Sequence, residues 1–422
     1  MQAAAGEMTG GMGALPPTAE HGTAVGASEP QARRPRVLIA MSGGVDSSVA
    51  AQLLLDAGYD CIGATMRLYD AGTSGRDPSR ACGNLADIED ARAVASRLGI
   101  PFEVLDCRAS FERDVIEAFT RAYELGTTPN PCAICNQRIK FGALLDLARE
   151  RGCDYLATGH YARVERRADG TFALAKAVDA SKDQSYFLYG LTQEELAHVL
   201  FPLGGLTKEG DVRRIAREHG FENASKRDSQ GICFVPDNDF ASFIERRRGR
   251  TLPEGDIVRA DGTVLGRHHG AIRYTVGQRK GLGVAAAHPL YVTGIDARAN
   301  TVTLGDEADL LAPALIADSW IWSAPADAME RRLDAGANES TPFRASARIR
   351  YHQADQAVTV RRAATSDRAG APVAAAGEML RIDFDAPQRA IAPGQAVVLY
   401  DGDVVLGGGH ILCAAQPARP MP

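Results

Sequence analysis

The first half of the chain alternates short apolar runs with stretches of helical period. Val37-Leu38-Ile39-Ala40-Met41 is a continuous apolar run typical of a buried parallel strand. A Gly-rich turn follows this run. A helix is then predicted at 49–57, and Gly58 ends the helix. Further strands are predicted at 61–68, 102–105 and 155–158, and further helices at 85–98, 111–125 and 141–149. This alternation predicts an α/β domain with a Rossmann-like, doubly wound parallel sheet.

The pattern changes after residue 205. Residues 206–283 are dense in Gly, Arg and His, and short β-type runs follow at 290–292, 301–304, 357–360, 396–400 and 404–406. Turns rich in Gly, Asp and Pro separate these runs, which predicts a small C-terminal all-β barrel. We therefore expect four regions: a disordered extension at 1–34, the α/β domain at 35–205, a central domain at 206–283 and the barrel at 284–415.

Charge is distributed unevenly along the 422 residues. The formal net charge is −6, which taken alone argues against a polyanionic partner. Residues 206–280, however, contain 15 Lys and Arg residues against 11 Asp and Glu residues, and the run Glu245-Arg246-Arg247-Arg248-Gly249-Arg250 in this stretch predicts a phosphate-contact patch. A second basic stretch contains Arg344, Arg348, Arg350, Arg361 and Arg362. Because a nucleic acid responds to the local position of positive charge, it stays among the expected partners.

The eight cysteines are too sparse in so long a chain to form a disulfide scaffold. The first 30 residues lack the basic and apolar regions of a secretory signal, and no apolar run reaches the roughly 18 residues of a membrane-spanning helix. We expect a cytoplasmic protein without a membrane partner, whose thiols are free, metal-bound or catalytic.

A Gly-rich segment, Ser42-Gly43-Gly44-Val45-Asp46-Ser47-Ser48, lies between the first predicted strand and the first predicted helix. Its glycines allow backbone N–H groups to face an anion, and the helix N-terminus adds partial positive charge. It matches neither G-x-x-x-x-G-K-[ST] nor G-x-G-x-x-G. It resembles instead the SGGxDS loop of the PP-loop ATP pyrophosphatases, which hold the pyrophosphate leaving group while a substrate oxygen is adenylated.

Two further segments contain cysteine. In Thr128-Pro129-Asn130-Pro131-Cys132-Ala133-Ile134-Cys135-Asn136 the prolines predict a stiff approach and a helix that begins near Cys135 or Asn136. A thiol at the start of a helix has a lowered pKa. A lone C-x-x-C is nevertheless compatible with three interpretations: an inert pair, half of a metal site or a reactive thiol. In Asp228-Ser229-Gln230-Gly231-Ile232-Cys233-Phe234, taken alone, Cys233 is typical of a core cysteine beside a Gly turn.

With these segments in view, the chain closely resembles the bacterial tRNA-specific 2-thiouridylase family over roughly residues 36–412. Besides the loop around Asp46, the matching segments are Asn130-Pro131 with Cys135-Asn136, Thr158-Gly159-His160-Tyr161, Lys182-Asp183-Gln184-Ser185-Tyr186-Phe187, Gly231-Ile232-Cys233-Phe234, Tyr274-Thr275-Val276-Gly277-Gln278-Arg279-Lys280-Gly281-Leu282-Gly283, Arg350-Tyr351 and Pro393-Gly394-Gln395. So many ordered matches are more specific than any one of them.

The resemblance implies ATP-dependent conversion of the 2-oxo group of the wobble uridine (position 34) of tRNA to a 2-thio group. The uracil oxygen attacks the α-phosphate of ATP, used with Mg²⁺, to give an adenylated base and pyrophosphate. By the same resemblance, Cys233 is the persulfide carrier and Cys135 the nucleophile that helps to release the sulfur and ends disulfide-bonded to Cys233. The ATP-binding residues implied are Ala40, Met41, Ser42, Gly43, Gly44, Val45, Asp46, Ser47, Met66 and Gly159.

Partners are implied in the same way. The expected partners are the anticodon stem-loop of tRNA and a protein that donates persulfide sulfur, and a monomer is the expected state. Because the target base must leave the anticodon stack to reach the loop, we expect a pocket for the flipped base. The implied tRNA-contact residues are Asn130, Pro131, Cys132, His160, Lys182, Asp183, Gln184, Arg350, Tyr351 and Gln395.

Position 132 departs from the family pattern, because many relatives carry an aspartate where this chain has Cys132. The residue is either tolerated there or acts as a resolving thiol. A further hypothesis is that Cys132, Cys135 and Cys233 ligate an iron–sulfur cluster, whose fourth iron site is left open for the sulfur.

Two other function classes remain to be separated from this one. Another PP-loop adenylating enzyme, such as an amidating ligase or a tRNA lysidine synthetase, uses ammonia or an amine and needs no cysteine pair. A tRNA-binding protein with an inactive ATP loop is the other, and the intact Gly43, Gly44, Asp46 and Ser47 argue against it.

Overall fold

The computed structural model describes residues 33–69, 85–226, 231–235, 237–336, 341–364, 367 and 378–415. Almost all of the expected extension at 1–34 therefore lies outside the described residues, as do Asp228, Ser229 and Gln230. None of the helices in these ranges combines the length and the apolar character that spanning a membrane requires.

A parallel sheet with helices on both faces forms the N-terminal domain. Its strands are β1 (Arg36–Ala40), β2 (Asp60–Arg67), β3 (Phe102–Asp106) and β4 (Tyr155–Thr158), followed by the hairpin of β5 (Ala162–Arg166) and β6 (Phe172–Lys176) and by β7 (Val199–Leu200). The helices are α1 (Val45–Asp56), α2 (Leu85–Leu98), α3 (Arg108–Phe111), α4 (Glu117–Glu124), α5 (Pro131–Cys135), α6 (Leu144–Glu150), α7 (Gln193–Leu196) and α8 (Arg213–Glu218). More widely wound turns at Glu112–Ile116, Asn136–Ala143 and Lys208–Val212 join α3 to α4, join α5 to α6 and precede α8.

The strand order β3-β2-β1-β4-β7, all parallel, confirms the predicted doubly wound α/β fold. Both faces of β1 are buried because its side chains alternate. Val37 and Ile39 pack with residues of α1, α2 and α8, whereas Leu38 packs with residues of α6. An apolar run without polar alternation is what a strand covered on both faces requires.

A second sheet forms the central region. Helix α9 (Phe240–Arg248) leads into β8 (Gly255–Val258), β9 (Val264–His268), β10 (Tyr291–Asp296) and β11 (Thr301–Gly305). The order is β10-β11-β8-β9, so the runs at 290–292 and 301–304 join β8 and β9 rather than the barrel strands. The expected boundary between the central domain and the barrel, at residue 283, therefore falls between strands that belong to this one sheet.

A closed barrel ends the described chain. Its elements are β12 (Leu311–Trp322), α10 (Ala326–Gly336), β13 (Phe343–Arg348), β14 (Gln356–Arg362), β15 (Leu380–Arg389), β16 (Ala396–Asp401) and β17 (Val404–Ala415). The order β12-β15-β14-β13-β16-β17 is closed by pairing of β12 with β17, which leaves these strands without a free edge. The β5–β6 hairpin of the N-terminal domain attaches to β17, where Ala175 pairs with Val404.

Candidate active site

The candidate site lies where the strand order of the parallel sheet reverses, between β1 and β4. In sheets of this kind, ligands bind beyond the carboxyl ends of the strands at that reversal. The Gly-rich loop follows β1, and Gly159 and His160 follow β4. Met66 lies near the carboxyl end of β2, next to β1. The fold therefore brings the predicted nucleotide residues to one edge of one sheet.

Close backbone packing shapes the Gly-rich loop. Gly43 has a left-handed φ of +73°, and a Cβ there would lie 2.3 Å from the carbonyl oxygen of Asp87. A Cβ on Gly159 would lie 2.8 Å from the backbone nitrogen of Ser47, so the turn after β4 packs against the loop. The Ser47 hydroxyl accepts from the backbone N–H of Ser42 at 3.1 Å and donates to the Gly44 carbonyl at 3.0 Å. Helix α1 begins with Gly44 as N-cap, which has no side chain to satisfy the first N–H groups, so these can bind an anion.

A buried ion pair holds Asp46 of the loop. The Lys208 side chain is only 1% exposed, and its Nζ lies 2.7 Å from both carboxylate oxygens of Asp46. The Tyr161 hydroxyl donates to the same carboxylate at 2.7 Å. Asp46 therefore anchors the loop to Lys208, just before α8, and to the segment after β4.

A second group of side chains reaches the loop from the segment after α8. The Asn223 amide donates to the Gly43 carbonyl at 3.1 Å and to the Ser48 hydroxyl at 3.0 Å. Lys226 Nζ lies 2.7 Å from carboxylate oxygens of Asp87 and Asp90 on α2. Sequence reasoning missed Lys208, Asn223 and Lys226, because only the fold brings residues some 160–180 positions away onto the loop.

The helix that contains the first cysteine pair begins earlier than predicted. It starts at Pro131, and Asn130 is the N-cap, with its side chain accepting from the Ala133 N–H at 3.2 Å. Proline is favoured at the first helical position because its missing N–H would have no helical partner there. Cys132 therefore lies in the first turn and is exposed, whereas Cys135 is half-buried one turn further on. The predicted start near Cys135 is wrong.

Both predicted reactive cysteines pack against one aromatic cluster. Cys135 and Cys233 each contact the core that contains Phe111, Phe119 and Phe234. Phe234 makes edge-to-face contacts with Phe111 and Phe119, with ring centroids 5.8 and 5.1 Å apart. The Tyr69 hydroxyl donates to the Cys233 carbonyl at 3.4 Å, which connects this segment to the end of β2. Among the described residues no group of three or more His, Cys, Asp or Glu side chains is arranged to hold a metal ion.

Comparison with known proteins assigns this site to a family. Sequence models described as the tRNA methyl transferase HUP domain, the tRNA methyl transferase PRC-barrel domain and the aminomethyltransferase beta-barrel domain match residues 35–237, 241–306 and 315–411. The chain is 48% identical over 381 residues to the tRNA-specific 2-thiouridylase MnmA of Geobacter metallireducens, with 90% of this chain and 97% of that protein covered. The chain belongs to the tRNA-specific 2-thiouridylase family.

Other members of that family are similarly close. The enzyme of Geotalea uraniireducens is 48% identical over 90% of this chain and 95% of its own length. That of Carboxydothermus hydrogenoformans is 46% identical over 90% of this chain and 98% of its own length. The resemblance inferred from the sequence is therefore confirmed.

The residues that the family resemblance implies for tRNA contact lie in different environments. His160 is buried between the Phe141 and Phe201 rings, and its Nδ1 lies 2.7 Å from the Thr158 hydroxyl. Burial, followed by the nearby ammonium of Lys140, holds the pKa of His160 well below 6.5, so its ring is neutral.

Asp183 and Gln184 bind other parts of this protein. Asp183 is 5% exposed and pairs with Arg348 of the barrel at 3.0 Å. The Gln184 side chain accepts from the Tyr161 N–H at 3.1 Å, while the neighbouring Lys182 is half-buried. These contacts connect the segment before α7 to the barrel and to the residues after β4.

The barrel residues of the predicted set surround the approach to α5. Gln395 Nε2 donates to the Thr128 carbonyl at 3.0 Å, and the Thr128 N–H donates to the Pro393 carbonyl at 2.8 Å. The Tyr351 ring packs on Phe187, 4.5 Å between centroids, and Arg350 donates to the Ala390 carbonyl at 2.6 Å. Gln395 thus holds the loop that leads to Asn130.

Most arginines of the two basic stretches are paired within the protein. Arg247 and Arg248 of α9 bind Glu117, and Arg248 also binds Glu124, so these two arginines of the expected phosphate patch at 245–250 dock α9 against α4. Four of the five arginines of the second stretch are paired as well: Arg344 with Asp385, Arg348 with Asp183 and Asp355, Arg361 with Asp367 and Asp383, and Arg362 with Glu330, Asp334 and Glu378.

Proposed function

We propose that this protein thiolates position 2 of the wobble uridine, U34, of tRNA at the expense of ATP. Membership of a family whose relatives match it over 90% of its length is the observation that carries the proposal. The anion-binding loop after β1 supports the adenylation half of the reaction, because its free N–H groups suit a pyrophosphate leaving group. The two cysteines on one aromatic cluster support the sulfur-transfer half.

Adenylation makes the reaction possible. The uracil O2 attacks the α-phosphorus of ATP, pyrophosphate leaves, and C2 becomes bonded to AMP, which is a far better leaving group than an amide-like oxygen. Mg²⁺ accompanies the ATP. It would be held largely through phosphate oxygens and water, as is common for Mg²⁺.

Sulfur transfer then uses both thiols. The terminal sulfur of a Cys233 persulfide attacks C2 and displaces AMP. The Cys135 thiolate next attacks Cys233 Sγ, which releases the thiolated base and forms the Cys135–Cys233 disulfide. The sulfane sulfur is reduced and two thiols are oxidised, so a thiol reductant and a persulfide-donor protein must restore the enzyme before the next turnover. We propose that it does this as a monomer in the cytoplasm, whose reducing conditions regenerate both thiols.

The persulfide route is preferred to the iron–sulfur cluster. The described Cys132, Cys135 and Cys233 are not grouped for a metal, although a cluster needs its thiolates around one centre. Anaerobically purified protein should therefore thiolate tRNA in vitro with no iron or acid-labile sulfide detected. Activity that rises in proportion to bound iron would overturn this choice.

Mass spectrometry of tRNA nucleosides tests the function. A deletion strain should lack 2-thiouridine, and expression of this chain should restore it. Cys135→Ser and Cys233→Ser should each abolish restoration while ATP binding persists, whereas Cys107→Ala, a matched thiol on the same cluster, should restore it. Full activity of either serine variant would favour an adenylating enzyme that uses ammonia or an amine, and no tRNA-dependent release of pyrophosphate by the wild type would favour a tRNA-binding protein.

A further inference from the structure

Three lysines contact the Gly-rich loop or a residue next to one that packs on it, and their charges are balanced differently. Lys208 is paired with Asp46, and Lys226 is paired with Asp87 and Asp90. Lys140 is half-buried, and in the part of the chain that the structure describes no carboxylate lies within ion-pair distance of it. Its Nζ lies instead 3.4 Å from Nε2 of His160.

The His160 ring fixes the position of this ammonium. His160 is neutral, and its Nδ1 is engaged by the Thr158 hydroxyl at 2.7 Å, so Nε2 can accept from Lys140 when Nδ1 carries the proton. A neutral imidazole orients the ammonium but does not cancel its charge. A half-buried cation without a counter-ion is costly, unless an anion occupies the site when the enzyme works.

The location of Lys140 indicates which anion this is. His160 follows Gly159, which packs against the backbone of Ser47 in the anion-binding loop. Lys140 lies five residues after Cys135 on the same continuous helical stretch, which is little more than one helical turn. The ammonium thus contacts the residue next to Gly159, which packs on the loop that suits pyrophosphate, and it shares a helical stretch with the cysteine proposed to act in sulfur transfer.

We propose that Lys140 binds the α-phosphate of ATP and of the adenylated base, and that His160 is its positioning residue. The inference rests on the proposed function. In the adenylated base a single oxygen joins C2 to the α-phosphorus, so a cation on that phosphate must lie within a few ångströms of the carbon that receives sulfur. Negative charge grows on the bridging oxygen as AMP leaves, and the positive charge of Lys140 stabilises it.

Separate binding of AMP and of inorganic pyrophosphate tests the proposal, because only AMP contains the α-phosphate. Lys140→Met should weaken AMP binding roughly 10- to 100-fold, the range for loss of a hydrogen bond to a charged group, and change pyrophosphate binding less than about twofold. Lys140→Arg, which keeps the charge and the fold, should lie in between. The control Arg149→Gln removes an exposed positive charge from α6 of the same domain and should alter neither affinity.

The role of His160 is tested with two variants. His160→Leu removes the acceptor and should weaken AMP binding several-fold, and His160→Gln, whose amide oxygen can accept from Lys140, should recover most of it. A residue that only packs against Phe141 and Phe201 would lower the melting temperature in both variants without changing the preference for AMP over pyrophosphate.

Two results would overturn the inference: unchanged AMP affinity in Lys140→Met, or equal weakening of AMP and pyrophosphate. These measurements use no tRNA. If expression of this chain failed to restore 2-thiouridine in the deletion strain, the proposed function would be contradicted. The assignment of Lys140 to the α-phosphate would still stand.

Discussion

Replacement of Lys208 by methionine should destabilise the α/β domain. At 2.7 Å the attraction between Lys208 and Asp46 is about 6 kcal/mol for an effective dielectric constant near 20. Much of this offsets the cost of removing the charges from water. The variant loses the attraction but keeps the partly desolvated carboxylate, and breaking a buried pair in this way typically costs about 3–5 kcal/mol. Because Asp46 remains 30% exposed and keeps the Tyr161 hydroxyl, we expect about 3 kcal/mol.

The free energy of unfolding in urea measures this effect. Circular dichroism is the suitable signal, because both tryptophans, Trp320 and Trp322, lie in the barrel and do not report on the α/β domain. The control Arg214→Met on α8 breaks an exposed pair with Glu218 and should cost less than about 0.5 kcal/mol.

A double-mutant cycle separates the pair from general packing. In a protein that already carries Asp46→Asn, Lys208→Met should lower the free energy of unfolding much less than it does alone. The reason is that position 46 then has no charge to be left without a partner. A loss below about 1 kcal/mol in the single variant, or an equal loss in both backgrounds, would refute the assignment of Lys208 as the ion that anchors the loop.

Three other predictions concern the Gly-rich loop, His160 and the contact between α9 and α4. Gly43→Ala should unfold at a clearly lower temperature than Gly44→Ala. A Cβ at position 43 would lie 2.3 Å from the Asp87 carbonyl oxygen, whereas the nearest atom to a Cβ at position 44 is a serine hydroxyl at 3.4 Å. Equal melting temperatures would contradict this prediction. The buried neutral His160 takes up its proton only well below pH 6.5, while the unfolded chain takes it up near 6.5, so stability should fall as pH drops below 6.5 by up to about 1.4 kcal/mol per pH unit. His160→Gln should lessen that slope in urea unfolding from pH 7 to 5, and an unchanged slope would show that other groups cause it. Arg248→Gln should lower the melting temperature and leave tRNA affinity in filter binding within about twofold, because the Arg248 guanidinium is paired with two carboxylates of α4. A large loss of affinity would show instead that Arg248 contacts a tRNA phosphate.

The parallel domain could be predicted from the sequence because its signals are local. The β1 run is apolar on both faces, and Gly43 and Gly44 separate it from α1, so strand, turn and helix follow from adjacent residues. The strand at 155–158 was predicted at its observed bounds for the same reason. The sequence pattern places the start of α5 too late, because two nearby prolines indicate a non-helical approach, although at the first helical position proline favours a helix.

The sequence by itself thus determined the fold class, the Gly-rich loop and the family to which the two cysteine segments point. Only the tertiary structure decided which charges face which. The second basic stretch looked nearly unopposed along the chain, yet Arg344 and Arg362 are neutralised by carboxylates from distant strands and from α10. Conversely, Lys140 looked ordinary in sequence and is left without a carboxylate partner among the described residues beside the candidate site. The physical reason is that electrostatic energy depends on distance and burial in space, and separation along the chain specifies neither.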